Sequence, residues 1–347
     1  MIRQPMSKDE VTAAIERRGC AHVPVVFHKW WGDGLEERYG TQIQQLNEEF
    51  PDDIVICTYN KPGEGASSNA NPDYRWGYKV DYSDSAKHSI DPSAVELLPD
   101  WAQYDLFLAN MPDPNEPDSF DGVKALAAKA GDRYKLGHWW NMFHERFWYI
   151  RGMENLMLDY YDHMDELKDL GKHLVHFYKT IIDRYAELGF HGILSSDDLG
   201  HQTGPMMSPA IFRELYLPLY EEFVDYVHAK DMHFFLHSCG DNTALMDDII
   251  ASGIDVFHPI QKGCMDLANT VKRFGNRISF LYGIDVQHLI PLGTVDEVRA
   301  EIREVMNTMY RPHGGFLIGA GNGIMGDTPI ENLRAMLEEI CSFRYQT

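Results

Sequence analysis

The chain has 347 residues, of which 44% are hydrophobic, 12% aromatic and 24% charged, a composition typical of a globular protein rather than of a disordered or fibrous chain. Acidic residues outnumber basic ones by 53 to 31, which gives a formal charge of −22 and argues against nucleic acid and anionic membrane surfaces as partners. The length is compatible with two ordinary domains or with one large barrel.

The cysteines point to a reducing compartment. There are five of them, an odd number, and they follow no disulfide framework. The N-terminal stretch lacks the apolar segment of a secretory signal, and no run approaches the roughly 18 apolar residues that span a bilayer. We therefore expect a cytoplasmic protein.

Helix and strand signals alternate along the chain. A capping box beginning at Ser7 predicts a first helix that ends near Gly19. Eight runs rich in β-branched and aromatic residues then predict strands. They span residues 23–30, 53–59, 134–140, 189–198, 232–240, 255–260, 277–285 and 314–322. Between them, Ser208 followed by a proline, and capping boxes beginning at Thr294 and Thr328, predict helix starts.

This alternation predicts the α/β class and a single (β/α)8 TIM barrel over residues 1–347, because eight strand–helix units with right-handed crossovers close such a barrel. A doubly wound open sheet is the alternative, but no G-x-G-x-x-G motif follows the first strand. Residues 60–100 are rich in Gly, Pro, Ser and Asn. They predict a long insertion after strand 2, either a lid at the catalytic end or a surface loop.

Polar and aromatic side chains gather at the predicted C-terminal ends of the strands, which in a barrel face one shared basin. They are His28, Trp30 and Trp31 after the first strand, His138, Trp139 and Trp140 after the third, Ser196, Asp197 and Asp198 after the fourth, His237 and Cys239 after the fifth, His258 after the sixth, Asp285 after the seventh and Asn322 after the eighth. So many reactive groups in one place favour an active site.

His237 and Cys239 are the sharpest candidates, because an imidazole and a thiolate two residues apart at a strand end can share one metal ion. Zinc is the expected ion, although the same spacing is typical of a buried structural cysteine beside a hydrogen-bonded histidine. Catalytic zinc usually has three protein ligands and an open position. The candidates for the third ligand are Cys264, Asp198, Asp285 and Asn322.

Asp197 and Asp198 are adjacent, so alternation along a strand sends only one of them into the barrel mouth. That carboxylate could serve as a general acid, a base or a metal ligand, while the other braces a loop. Aromatic residues could line a substrate pocket or fill the core. They are Trp30, Trp31, Trp139, Trp140 and Tyr149, with Phe143, Phe147 and Trp148.

Residues 197–241, 282–285 and 319–336, together with 148–159, resemble the uroporphyrinogen decarboxylase superfamily. The resemblance implies a (β/α)8 barrel and one of two chemistries. True decarboxylases carry an arginine-rich motif after strand 1 that binds a polycarboxylate, whereas this chain has HKWWGDGLEERYG at 28–40, and Asn322 replaces a histidine. An acidic, tryptophan-bearing loop is a poor binder of a polyanion.

The resemblance implies instead a zinc-dependent methyltransferase that works with a corrinoid protein, with His237 and Cys239 as the first two zinc ligands. Coenzyme M enzymes of this branch have a third zinc cysteine where this chain has Asn322. That difference favours relatives that demethylate methoxylated aromatics or other small donors. Asp198 or Asp285 would orient or protonate the leaving atom, since an alkoxide or phenolate departs poorly unless its charge is stabilised.

Two alternative functions stay open from the sequence. One alternative is a decarboxylase acting on a tetrapyrrole or another carboxylated substrate, and another is a non-catalytic binding module. The expected partners are a small methyl donor and a corrinoid protein, and a homodimer is left open.

Overall fold

Eight parallel strands form a nearly closed barrel. A computed structural model describes residues 3–59, 67–68, 71–75, 97–111, 113–115 and 119–343. The strands are β1 (Val25–Val26), β2 (Ile54–Thr58), β3 (Tyr134–Trp139), β4 (Gly192–Ser196), β5 (His233–His237), β6 (Val256–His258), β7 (Ser279–Ile284) and β8 (Phe316–Ala320). Around the sheet the order is β1, β8, β7, β6, β5, β4, β3, β2, with every hydrogen-bonded pair parallel. Each strand falls inside one predicted run, which confirms the predicted barrel.

Side-chain carboxylates join β1 to β2, where β1 is only two residues long. Asp53 accepts the Val25 N–H at 2.8 Å, and the Val25 carbonyl accepts the Asp53 N–H at 3.0 Å. Asp52 accepts the N–H groups of Phe27 and His28 at 2.9 and 2.8 Å. These bonds take the place of the backbone ladder that a longer strand would form.

Helices surround the strands. They are α1 (Lys8–Ile15), α2 (Leu35–Tyr39), α3 (Thr41–Glu49), α4 (Tyr104–Ala109), α5 (Asp121–Ala127), α6 (His144–Arg151), α7 (Met153–Asp162), α8 (Met164–Glu187), α9 (Pro209–Ile211), α10 (Leu217–His228), α11 (Met246–Ala251), α12 (Leu267–Phe274), α13 (Leu289–Leu292), α14 (Val295–Met309) and α15 (Ile330–Ser342). Short 3-10 turns cover His28–Trp30 and Trp101–Gln103, and a π-helical segment, Phe212–Tyr216, joins α9 to α10. Two hairpins pair Ser67–Ser68 with Asn71–Arg75, and Gly200–His201 with Gly204–Pro205.

Local signals fix three of the predicted helix starts. Ser7 and Thr294 each accept a backbone N–H three residues on and form a complete capping box with a glutamate. Ser208 caps α9, which a proline opens. These three predicted starts are confirmed, although α1 ends at Ile15 rather than near Gly19.

The capping box predicted at Thr328 is wrong. The last helix, α15, begins at Ile330 with Pro329 as its N-cap, and no side chain caps it. Pro329 has a ψ of 133°, so it stands outside the helix instead of occupying the first helical position. Thr328 closes a turn by donating its N–H to the Met325 carbonyl.

The N-terminal end of the barrel is filled by apolar side chains. Val11 and Ile15 of α1 join residues that point into the barrel from alternate strand positions. The cluster comprises Met6, Val11, Ile15, Val26, Ile54, Tyr134, Leu136, Leu194, Phe235, Val256, Leu281 and Leu317. Arg3 and the Met6 N–H both donate to Asp53, which anchors this segment to the β1–β2 junction. The opposite end, where the strands finish, is left to form a site.

The connection between β2 and β3 runs from residue 59 to residue 133 and is the longest between barrel strands, which confirms a long insertion after strand 2. The predicted lid at 60–100 lies outside the described residues, apart from residues 67–68, 71–75 and 97–100. Among the described helices, none is long and apolar enough to cross a membrane.

Candidate metal centre and its surroundings

The register of three strands brings the candidate ligands together. His237 on β5 lies opposite Ser196 on β4 and opposite His258 on β6. Asp198 and Cys239 each follow two residues after a paired position, so they meet just beyond the strand ends. The Cys239 N–H donates to Asp198 Oδ1 at 2.8 Å.

Asp198, His237 and Cys239 form one cluster of ligand atoms. Their potential donors all lie within 4.8 Å of one another. Cys239 Sγ is 3.3 Å from His237 Nε2, and His237 Nε2 is 3.7 Å from Asp198 Oδ1. Tetrahedral zinc holds sulfur and nitrogen ligands about 3.5 Å apart, given bond lengths of about 2.3 and 2.0 Å. The spacing and the mixed donor set therefore fit zinc, with one coordination position left for a substrate.

Burial governs the protonation of this cluster. It lowers the pKa of His237 to about 4, so the ring is neutral at physiological pH. Burial, and next the nearby Asp198 carboxylate, raise the pKa of the Cys239 thiol well above its usual value. In the metal-free protein the thiol is therefore protonated, and a bound cation would have to displace that proton.

Behind the metal-ligand cluster, His237 contacts a second buried histidine. Its Nδ1 lies 2.7 Å from Nδ1 of His258, and His258 Nε2 lies 2.9 Å from the Ala320 carbonyl oxygen at the end of β8. The Trp30 ring stacks on both imidazoles, with centroids 5.0 Å from His258 and 5.9 Å from His237. His237 is thus held by His258 at Nδ1, on the ring edge away from Cys239, and by Trp30 on one ring face.

The two adjacent aspartates have different surroundings. Asp197 is fully buried and accepts the N–H groups of Phe143 and Glu145 at 3.3 and 2.8 Å, together with the Tyr220 hydroxyl. It therefore anchors the start of α6. Asp198 is about a third exposed, at 35%, and its side chain faces His237. Burial raises the pKa of both carboxyl groups, that of Asp197 to about 6.

Glu145 lies buried behind this pair. Ser196 donates its hydroxyl to Glu145 Oε2 at 2.5 Å. Burial raises the pKa of Glu145 well above its usual value, and the neighbouring Asp198 and Asp197 carboxylates raise it further. This direction favours the protonated form of Glu145, which lies next to the candidate ligand Asp198.

Aromatic rings surround the metal-ligand cluster. Trp140 packs edge-on against His138 at 4.3 Å and against His237 at 5.8 Å, and its centroid is 6.1 Å from that of Trp30. The Lys29 ammonium lies 5.4 Å from the Trp140 ring centroid. Trp30 Nε1 and His138 Nε2 are buried without a hydrogen-bond partner. Apolar walls and unpaired polar atoms are typical of a site for a small molecule.

Four predicted pocket residues lie elsewhere. His28 Nε2 contacts the Phe50 carbonyl at 3.2 Å, and Trp31 donates to Asn47 at 2.8 Å. Trp139 points away from the mouth and stacks on Tyr178 at 5.4 Å, in the layer between strands and helices. Tyr149 stacks on Trp148 at 6.0 Å, within α6.

Three residues considered as a third ligand have different positions. Among the described residues, Cys264 is not part of the group with mutually close donors; its N–H bonds to the Gln261 carbonyl at 3.1 Å. Asp285 accepts the N–H groups of Gln287 and His288 at 2.8 and 3.1 Å, in the turn that precedes α13. Asn322 is exposed, and its amide contacts the Cys239 thiol. Asp198 is the candidate that joins His237 and Cys239.

Sequence reasoning named His258 and Ser196 as strand-end residues without a specific role, and it missed Glu145. For His258 the available signal was its position at the end of the strand after the H-x-C motif. For Glu145 there was none, because it lies on a helix and its carboxyl group reaches the site through a bond with Ser196.

A glycine follows the H-x-C motif for a steric reason. Gly240 has a φ of +82°, and a Cβ there would lie 2.3 Å from the carbonyl carbon of Gly200. The hairpin after β4 therefore rests directly on the backbone next to Cys239. Any larger residue at position 240 would separate Cys239 from the segment that carries Asp198.

The fold and the cluster define a (β/α)8 barrel protein with a candidate nitrogen, sulfur and oxygen metal centre at the C-terminal mouth. The chain belongs to the family described as Uroporphyrinogen decarboxylase (URO-D), which matches residues 108–343. A curated relative, the methylated-thiol–coenzyme M methyltransferase of Methanosarcina mazei, is 29% identical over 150 residues, which are 43% of this chain and 37% of that protein. The match therefore spans little more than a third of that relative. A solved methyltransferase from Methanosarcina mazei, 16% identical, superposes with a TM-score of 0.65 over 97% of this chain and 99% of its own, which supports the fold.

Proposed function

We propose that this protein is a zinc-dependent methyltransferase that moves a methyl group between a small methylated donor and a corrinoid protein. The observation that carries the proposal is the group of Asp198, His237 and Cys239, whose donor atoms lie within 4.8 Å at the barrel mouth. Membership of the URO-D family and the sequence match to a methyltransferase support this chemistry over unrelated metal functions.

His237 Nε2, the Cys239 thiolate and one oxygen of Asp198 would hold the zinc. When bound, the ion acts as a Lewis acid toward the heteroatom that carries the methyl group. One thiolate and one carboxylate balance the charge of a divalent ion. A donor set with no excess negative charge leaves the ion more electrophilic than one with additional thiolates.

The other residues have binding and proton-holding roles. Trp30 and Trp140 supply flat apolar surfaces, which suit an aromatic or methoxy-aromatic donor. Burial favours the protonated form of Glu145, and a proton held on Glu145 would leave Asp198 ionised and available as a ligand. Asp197 anchors the start of α6 and thereby positions Glu145.

A separate protein could approach this site. Asp198 is partly exposed and Asn322 is exposed beside Cys239, so the ligands lie near the surface at the barrel mouth. A methyl group has to reach cobalt in line with the bond that breaks, which requires such an open approach. A corrinoid protein is therefore the proposed methyl acceptor.

The test uses purified full-length protein loaded with zinc, a panel of methyl ethers, thioethers and amines, and reduced cobalamin as a soluble substitute for the corrinoid protein. We expect methylcobalamin to form, detected by its absorbance, and about one zinc per chain. His237→Ala and Cys239→Ser should abolish both zinc retention and turnover.

Cys264→Ser is the matched control, because it removes a thiol that lies outside the metal-ligand cluster, and it should retain zinc and activity. Turnover by a zinc-free preparation would overturn the metal role. Loss of carboxyl groups from uroporphyrinogen, without methyl transfer to cobalamin, would favour the decarboxylase alternative.

A further inference from the structure

His258 makes a chain of contacts that decides which nitrogen of His237 is available to a metal. Its Nε2 lies 2.9 Å from the Ala320 carbonyl oxygen. A carbonyl oxygen only accepts hydrogen bonds, so His258 Nε2 must carry the proton. In a neutral ring the other nitrogen, Nδ1, then has a free lone pair.

That lone pair meets His237. The two Nδ1 atoms are 2.7 Å apart, a distance that requires one proton between them. Because His258 Nδ1 is the acceptor, His237 Nδ1 must be the donor. His237 Nε2 is therefore the unprotonated nitrogen, and it is this atom that lies 3.3 Å from Cys239 Sγ.

We infer that His258 is a positioning residue that, through the Ala320 carbonyl, holds His237 in the tautomer whose Nε2 can bind the metal. This inference rests on the proposed function, since it concerns the same metal centre. Trp30 supports the arrangement by stacking on both rings, tilted by 24° and 29°. Both histidines are buried, at 0% and 3% exposure, so water does not compete for these bonds.

The test compares three replacements of His258 by their zinc affinity, measured by competition with a chromophoric chelator. His258→Asn places an amide oxygen near the former Nδ1 position and keeps an acceptor for His237. His258→Phe keeps a ring against Trp30 but has no acceptor for the His237 Nδ1–H. His258→Gln places its amide toward the Ala320 carbonyl and not toward His237. We expect affinity close to that of the wild type for the asparagine variant, and a loss of about 10- to 100-fold for the other two.

If His258 only fills space, the order of zinc affinities should be reversed, because the His258→Phe variant preserves packing best. Wild-type zinc affinity in the His258→Phe variant would overturn the inference. Cobalt-substituted protein gives a second measurement: the thiolate charge-transfer and d–d bands should be altered in the phenylalanine variant and preserved in the asparagine variant. Thermal unfolding of each variant identifies any that fail to fold.

A measurement on the wild type avoids dependence on variants. Two-bond ¹⁵N–¹H correlation spectra of the metal-free protein should show His237 protonated at Nδ1 and His258 at Nε2. The reverse tautomers would overturn the inference. If the tautomers and the affinity order are as expected but no methyl donor is turned over, the proposed function fails while the role of His258 stands.

Discussion

Zinc affinity should depend on pH through one proton only, that of Cys239. Burial and the Asp198 carboxylate raise the pKa of the Cys239 thiol well above its usual value, so the metal-free protein keeps this proton up to at least pH 8. Zinc binds the thiolate and releases the proton. The association constant should therefore rise about tenfold for each pH unit, or about 100-fold between pH 6 and pH 8.

His237 adds nothing to this dependence, because burial lowers its pKa to about 4 and the ring is already neutral at pH 6. A histidine with its ordinary pKa of about 6.5 would be mostly protonated at pH 6 and would raise the total change to about 400-fold. An Asp198 that is ionised at pH 6 adds no proton to this change, and the count of protons released per zinc tests its state. The magnitude of the change thus distinguishes a buried neutral imidazole from an exposed one.

The assay is chelator competition at pH 6, 7 and 8, together with calorimetry at pH 7 in two buffers of different ionisation enthalpy. The calorimetric comparison should give one proton released per zinc. Cys239→Ser should lose zinc during purification, and the weak binding that chelator competition still detects should not depend on pH between pH 6 and 8. A change near 400-fold in the wild type would refute the neutral state of His237, and a pH-independent affinity would refute the protonated thiol.

Two further predictions concern the scaffold. Asp53→Asn should lower the free energy of unfolding by about 3 kcal/mol, because the buried carboxylate that joins β1 to β2 loses charge-assisted bonds to three donors. For a chain of 347 residues, this loss lowers Tm by about 4 °C. Asp132→Asn, which removes a 3.9 Å pair between exposed groups, should cost less than about 0.5 kcal/mol, and equal Tm shifts would contradict the role of Asp53. Gly240→Ala should lower Tm and zinc affinity, whereas Gly263→Ala, with a φ of +84° but nothing within 4 Å, should cost only about 1 kcal/mol and spare the zinc. Equal behaviour of the two alanine variants would show that the contact with Gly200 is not limiting.

The barrel could be predicted because its signals are local. Each strand is a short β-branched or aromatic run, and Ser7 and Thr294 form capping boxes from residues only three positions apart. Thr328 shows the limit of this reasoning, since its motif matches the same pattern. The ψ of 133° at Pro329 moves the helix start beyond it, and Thr328 belongs to the preceding turn through its bond to the Met325 carbonyl.

From the sequence, the third metal ligand could be limited to four candidates but not identified among them. His237 and Cys239 lie on one strand, so their spacing is visible in the sequence. Asp198 reaches them because Ser196 pairs with His237 across two strands, and inter-strand register is not encoded near either residue. Cys264 was a chemically reasonable candidate, but its loop is held through Gln261, whose side chain accepts the Gly240 N–H at 2.7 Å.

The contact between His258 and Ala320 has a consequence for the order of folding. Ala320 is the final residue of β8, the last strand made and the one that pairs with β1. A chain that has formed only its earlier strands cannot supply this carbonyl, so His237 has no fixed tautomer until the barrel closes. Zinc would bind well only to the closed barrel, and at a free concentration 1,000 times its Kd it would favour that state over the unfolded chain by about 4 kcal/mol. Tight zinc binding would therefore require all eight barrel strands to have formed.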